Sequence, residues 1–372
     1  MRRSFRFRVG LLLTLAFSMA LPPMATQASA PDAAPISPTE AAADLLAGAS
    51  GALTALGDTI DSTAQTVVDT VSPAAGPCSG FGGLDHGNDG RLTILLMGSD
   101  YRLKRYIGER MDIIIVVTRR SDGRVAFASI PRDMVQFPKA GGGTSGFNRV
   151  NTMYYSYKRR KGDLDGVDCS ALKKFTRDVS AALSTEIDYY AMVRFTTFIN
   201  LVDRVGYVET DVPGPIIDST MGSNGIYFPD ENNYRLEGHA SCRKKPFKCR
   251  SALNYVRSRH GTQAGATNND FKRAYRQHDF IFDAMKRVRS RGDGSNLTDL
   301  MAGIVPKVWT NIPKSLNVAR DIYGILGNVR LSNSDKVVFG PSTYASGSGV
   351  PQYTFKPKLS KIRSWINVHF GS

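Results

Sequence analysis

Three short apolar runs constrain the fold more than anything else in this chain. Leu92-Thr-Ile-Leu-Leu-Met97, Met111-Asp-Ile-Ile-Ile-Val-Val-Thr118 and Arg124-Val-Ala-Phe-Ala-Ser-Ile130 read as buried strands, with β-branched side chains prominent in the second. Ser121-Asp-Gly123 supplies a turn that makes the last two a hairpin. Pro131, lacking an amide hydrogen, ends the ladder. Downstream the periodicity alternates. Helices are expected from about residue 151, over 168–183, 195–204, 268–288, 297–305, 318–326 and 358–370, and strands over 188–193, 205–212 and 336–339. Strands interleaved with helices argue for an α/β (α+β mixed) domain, a central mixed β-sheet flanked by helices. No internal repeat is visible.

The N-terminus has the pattern of export. Met1-Arg-Arg-Ser-Phe-Arg-Phe-Arg8 is basic, residues 9–21 are apolar, and Ala28-Ser29-Ala30 offers small residues for cleavage. The run is short against the about 20 apolar residues of a membrane span. Residues 1–30 are therefore expected to be a cleaved signal peptide, with a short membrane anchor as the alternative. Residues 31–77, rich in Ala, Ser, Thr, Pro and Asp, read as a disordered linker. The folded domain is expected over 78–372. Net charge is +15, and removing four arginines with residues 1–30 leaves 15 − 4 = +11. An exported basic domain points to anionic wall polymers or lipid phosphates as partners rather than nucleic acid. The four cysteines fit export. Cys242–Cys249 brackets a short basic loop and is a local pair, which leaves Cys78–Cys169 as a long-range one. A zinc site is the rival reading, but the sequence has no Cys-x-x-Cys spacing and its histidines do not cluster.

Charged residues gather where strands end. Asp100 and Arg102 follow the first strand, Arg110 and Asp112 open the second, and Arg132 and Asp133 follow the third. Arg257, Arg259 and then Asp270-Phe-Lys-Arg-Ala-Tyr-Arg-Gln277 come later. Asp270, Arg273 and Gln277, at i, i+3 and i+7, share one helix face. Phe271, Tyr275, His278, Phe282 and Met285 form the face expected to pack. Guanidiniums drawn to one place repel one another unless an anion holds them, and their planar fork fits phosphate oxygens. Carboxylates among them suit a hard cation that shares phosphate oxygens. Taken pair by pair, the same residues would be ordinary surface ion pairs. Phe195, Phe198, Ile199 and Val202, at i, i+3, i+4 and i+7, make an apolar helix stripe that would be either core or a lipid slot. Residues 261–269, with Gly, Thr and Asn, read as a mobile lid.

Seven motifs in order carry a resemblance: Leu95-Leu-Met-Gly-Ser-Asp-Tyr-Arg102, Arg110-Met-Asp112, Ser129-Ile-Pro-Arg-Asp133, Arg149-Val-Asn151, Leu201-Val-Asp-Arg-Val-Gly206, Tyr255-Val-Arg-Ser-Arg259 and Asp270 to Gln277. Over about residues 90–290 the chain resembles the LytR-CpsA-Psr family of cell-wall glycopolymer ligases. The resemblance implies an extracytoplasmic phosphotransferase, secreted or associated with the outer face of the cytoplasmic membrane, at the wall of a Gram-positive-type bacterium. Its implied partners are a polyprenyl-pyrophosphate-linked glycopolymer and a peptidoglycan acceptor, and its cofactor is Mg²⁺. Carried over by position, Asp100 and Asp112 would hold the metal. Arg110, Arg132, Arg257, Arg259, Arg273 and Gln277 would bind pyrophosphate, Asp270 would orient them, and Asp133 is a candidate base. A non-catalytic polyprenyl-phosphate binder acting in envelope maintenance is the alternative. The chain departs from the family pattern at Gly206-Tyr207, at the insertion carrying Cys242 and Cys249, and at His278.

Overall fold

A computed structural model describes residues 78, 91–101, 108–158, 166–221, 225–240, 242, 249–290, 308–312, 334–349, 351 and 353–371. The elements run β1 (Leu92–Ser99), β2 (Met111–Arg119), β3 (Val125–Ser129), α1 (Val150–Tyr157), α2 (Cys169–Leu183), β4 (Tyr189–Val193) and α3 (Phe195–Val205). Then come β5 (Val208–Val212), β6 (Ile216–Asp218), β7 (Ile226–Phe228), β8 (Glu231–Leu236), α4 (Ala252–Arg257), β9 (Thr262–Gln263), β10 (Ala266–Thr267) and α5 (Asp270–Ser290). The chain closes with β11 (Trp309–Thr310), β12 (Asp335–Val338), β13 (Ala345–Gly347), β14 (Phe355–Pro357) and α6 (Leu359–Phe370). The predicted helices over 297–305 and 318–326, the signal region and the linker lie outside the described residues.

The main sheet has the order β11-β4-β1-β2-β3-β12. It is mixed: β1 pairs antiparallel with β2 and parallel with β4, while β3 pairs antiparallel with β2 and parallel with β12. Alternate side chains face opposite layers. Leu95, Met97, Ile114, Val116, Ala126 and Ala128 pack with α1, α2 and α6 through Met153, Leu172, Phe175, Ile362 and Phe370. Ile94, Ile115, Val117 and Phe127 face the other way and pack with Phe282 and Met285 of α5. The sheet is thus covered on both faces, as its apolar strands require. A smaller apolar cluster joins α3, β5–β8 and α4, with Phe280 of α5 closing it.

Helix ends follow local chemistry. Asp168 caps α2 by accepting from Ala171 N, and Asn269 accepts from Phe271 N and Lys272 N at the start of α5. Both expected disulfides form, Cys78–Cys169 and Cys242–Cys249. Among the described residues no helix is long and apolar enough to cross a membrane. Two expectations change. Tyr275 is 48% exposed rather than packed, although His278, Phe282 and Met285 are buried as expected. Residues 261–269 form the β9–β10 hairpin, whose β9 pairs with β6. A segment that completes backbone ladders in this way is not a free-standing lid.

Candidate active site

Because β2 runs antiparallel to β1 and β3, and β4 parallel to β1, four strand termini meet at one sheet edge. Asp100, Arg132 and Arg194 follow the carboxyl ends of β1, β3 and β4, and Arg110 and Asp112 flank the amino end of the antiparallel β2, so the five lie together, at the end of the sheet where α/β folds gather ligands. The end of α4 and the first turns of α5 add Arg257, Arg259, Arg273 and Gln277 opposite them. All nine line one cavity of about 230 Å³. Six arginines against two aspartates give the lining a formal 6 − 2 = +4 charge, part of it offset by Glu109, Asp133 and Asp270, which pair with Arg132, Arg194, Arg259 and Arg273.

Asp270 is the hub of the arginine wall. Its carboxylate lies 3.0 Å from Arg273 Nη1, 3.3 Å from Arg259 Nη1 and 3.8 Å from Arg132 Nη2. Arg132 also reaches Asp112 at 3.0 Å and Asp133 at 3.3 Å. Burial alone would lower the pKa of Arg132, but Asp112, Asp270 and Asp133 outweigh it and hold it above its ordinary value. Arg273 is the reverse case: burial, with Arg132 close by, pulls it below its ordinary value despite Asp270. Its Nε is buried with no hydrogen-bond partner, a donor waiting for an acceptor. Burial raises Asp133, aided by Asp270 and Asp112, against the pull of Arg132 and Arg149. Gln277 Nε2 donates to Val256 O at 2.9 Å, fixing α5 to α4.

One side of the cavity is apolar, formed by Phe195, Phe198, Leu253 and Val256. The expected stripe on α3 divides between two environments. Phe195 and Phe198 reach the cavity, with Arg257 stacked 4.4 Å over the Phe195 ring. Val202 is 4% exposed in the core under β5 and β8, and Ile199 is half-buried outside the lining. Two turns of helix simply run past the cavity mouth into the smaller cluster.

Several supporting residues carry no signal in the sequence. Glu109, 2% exposed, accepts Ser99 Oγ at 2.7 Å and both Nε and Nη2 of Arg194 at 2.9 and 3.0 Å, with Lys158 Nζ at 3.6 Å. Arg194 is stacked on Tyr101 (3.7 Å) and Trp309 (4.7 Å). Asp218, fully buried, accepts from Ser258 Oγ and from the backbone N–H groups of Arg259 and His260, which orients the Arg259 loop. Arg276 bonds Ser258 O, Gln263 Oε1 and Asn268 Oδ1 and braces the hairpin rather than facing the cavity. Burial brings its pKa down to about 10. Arg102 lies outside the described residues.

Asp100 and Asp112 both line the cavity, and Asp112 Oδ1 accepts from Arg132 and from Asn151 Nδ2. Among the described residues no group of three or more His, Cys, Asp or Glu forms a closed metal cage. Two carboxylates beside an anion pocket fit Mg²⁺, which binds through one or two carboxylates and completes its shell with water and phosphate oxygens.

The chain is 25% identical over 285 residues to the polyisoprenyl-teichoic acid–peptidoglycan teichoic acid transferase TagV of Bacillus subtilis (strain 168), covering 75% of this chain and 64% of TagV. It is 28% identical over 268 residues to the cell wall biosynthesis protein LcpA of Corynebacterium glutamicum, covering 63% of this chain and 47% of LcpA. It thus spans less than two thirds of either relative. The crystal structure of B. subtilis TagV superposes with a TM-score of 0.55 at 24% identity, over 76% of this chain and 98% of that one. A structure of TagT bound to LI-WTA gives 0.50 at 21% identity, over 77% and 93%. These likenesses establish the mixed α/β fold. The profile of the LytR_cpsA_psr family matches residues 58–355, and the chain belongs to that family.

Proposed function

We propose that the protein is an extracytoplasmic phosphotransferase that moves a glycopolymer from a polyprenyl-pyrophosphate carrier to peptidoglycan. The observation that carries this reading is the mixed lining of the cavity, which combines six arginines with an apolar side formed by Phe195, Phe198, Leu253 and Val256. A pyrophosphate joined to an apolar chain has the same mixed chemistry. The relatives named as teichoic acid transferases support the same reaction class.

Phosphoryl transfer asks a protein chiefly for positioning and charge stabilisation. Arg273 and Arg259, braced by Asp270, would hold the phosphoryl oxygens. Arg132 would follow the charge that develops on the leaving phosphate. Asp133, whose pKa is raised, would take the proton of the attacking hydroxyl. Asp100 and Asp112 would hold Mg²⁺, which when bound neutralises charge on the diphosphate.

The purified protein, incubated with a polyprenyl-pyrophosphate saccharide, Mg²⁺ and peptidoglycan, should give transfer product. Arg259→Ala and Asp112→Ala should each lower the rate by about 10²-fold or more. A wild type that binds the lipid without transfer or pyrophosphate cleavage would leave the non-catalytic binder as the reading.

A further inference from the structure

We infer that a second cavity, sharing Arg110 and Arg132 with the first, is the binding site for the acceptor saccharide, with Phe147 as its stacking platform and Asn151 and Asp133 as acceptors for its hydroxyl groups. The inference rests on the phosphotransfer reading. The cavity measures about 270 Å³ and is lined additionally by Asn148, Arg149 and Thr152. It approaches the roughly 300 Å³ at which ligand clefts begin.

Three observations point to a sugar. Phe147 is 63% exposed, at a position the backbone fixes rather than leaves frayed. Gln136 N donates to Gly146 O at 2.7 Å, Asn148 N to Ser145 O at 3.2 Å, and Ser145 Oγ to Asn148 O at 2.8 Å. A rigid aromatic face held in water at a cavity rim suits the apolar C–H face of a pyranose. Asn151 is 3% exposed; its Nδ2 is committed to Asp112, while its Oδ1 is buried with no partner. A buried acceptor without a donor is costly and calls for a hydroxyl or an ordered water. Asp133 adds a carboxylate to the same wall. Asp133 already faces Arg132 and Arg149, so the acceptor that lacks a donor is Asn151 Oδ1; a fully ionised anion brings it none, whereas a polyol brings several.

The shared arginines place an acceptor hydroxyl beside the diphosphate of the first cavity. In the step itself, the hydroxyl oxygen bonds to the phosphorus nearest the donor sugar. The P–O bond to the polyprenyl phosphate breaks, and the leaving phosphate keeps the electron pair. The hydroxyl proton passes to Asp133.

The test titrates the full chain with soluble, peptide-free peptidoglycan glycan strands by calorimetry, without donor. Wild type should bind saturably, Phe147→Ala should bind about tenfold more weakly, and Phe147→Tyr should restore affinity. Thermal midpoints should stay together because the ring is exposed. Equal binding by wild type and Phe147→Ala, or binding of inorganic phosphate alone in this cavity, overturns the inference. Transfer kinetics separate it from the reading beneath it. Transfer with an unchanged acceptor KM in Phe147→Ala refutes the subsite and keeps the phosphotransferase. Glycan binding that depends on Phe147, with no transfer by wild type, keeps the saccharide site and refutes the phosphotransferase.

Discussion

Removing the carboxylate of Glu109 tests how the strand end beside Asp100 is held. Glu109 is 2% exposed and faces two cations, Arg194 and Lys158, whose side chains are only 12% and 6% exposed. Glu109→Gln leaves both charges buried with one neutral acceptor between them. Stripping one partner from a buried ion pair costs about 3–5 kcal/mol. The rings of Tyr101 and Trp309 still flank Arg194 and retain about 1–2 kcal/mol of cation–π attraction. The retained amide hydrogen bonding also offsets part of the loss, so a cost of about 3 kcal/mol is expected. Urea denaturation at neutral pH should show this as a lower midpoint at constant slope. Glu109→Gln/Arg194→Met, which removes the orphaned guanidinium, should recover about half. Donor turnover should fall as well, because Ser99 Oγ loses its charged partner next to Asp100. A loss below about 1 kcal/mol, or strict additivity in the double variant, would refute the view of Glu109 as the counter-ion of a buried cluster.

Three further outcomes follow from the same geometry. Burial, with Lys336 nearby, lowers the pKa of His278 from 6.5 to about 3; the unfolded chain therefore binds the proton more tightly between those values, and stability falls as pH drops. Between pH 6.5 and about 4.5 the loss should reach about 2–3 kcal/mol, and His278→Phe should flatten this limb in denaturation curves taken across the range. Cys78→Ser should lower stability by up to about 4–5 kcal/mol, the chain-entropy limit for a bridge closing residues 78 to 169, read from denaturant midpoints without reductant. Transfer rate should climb with pH through a pKa above the ordinary 3.8 of an aspartate, since Asp133 must be ionised to accept a proton, and Asp133→Asn should cut kcat by about 10²–10⁴ and abolish that limb.

What the sequence determined by itself was local. Short apolar runs, rich in β-branched residues in β2, specified β1, β2 and β3, because strand propensity and burial act on neighbouring residues. The spacing of Asp270, Arg273 and Gln277 placed them on one face because helix geometry has a fixed period. Only the tertiary structure decided matters that depend on which distant segments meet. Glu109 and Arg194 are 85 residues apart and meet because β1 pairs with both β2 and β4. Asp218 grips the Arg259 loop across 41 residues. The α3 stripe looked uniform, yet Phe195 faces the cavity and Val202 the core, since an apolar face is filled by whatever the topology brings against it. Tyr275 shares the helical phase of Phe282 and remains 48% exposed, because helical period fixes the face while the segments packed against it decide which of its positions are covered.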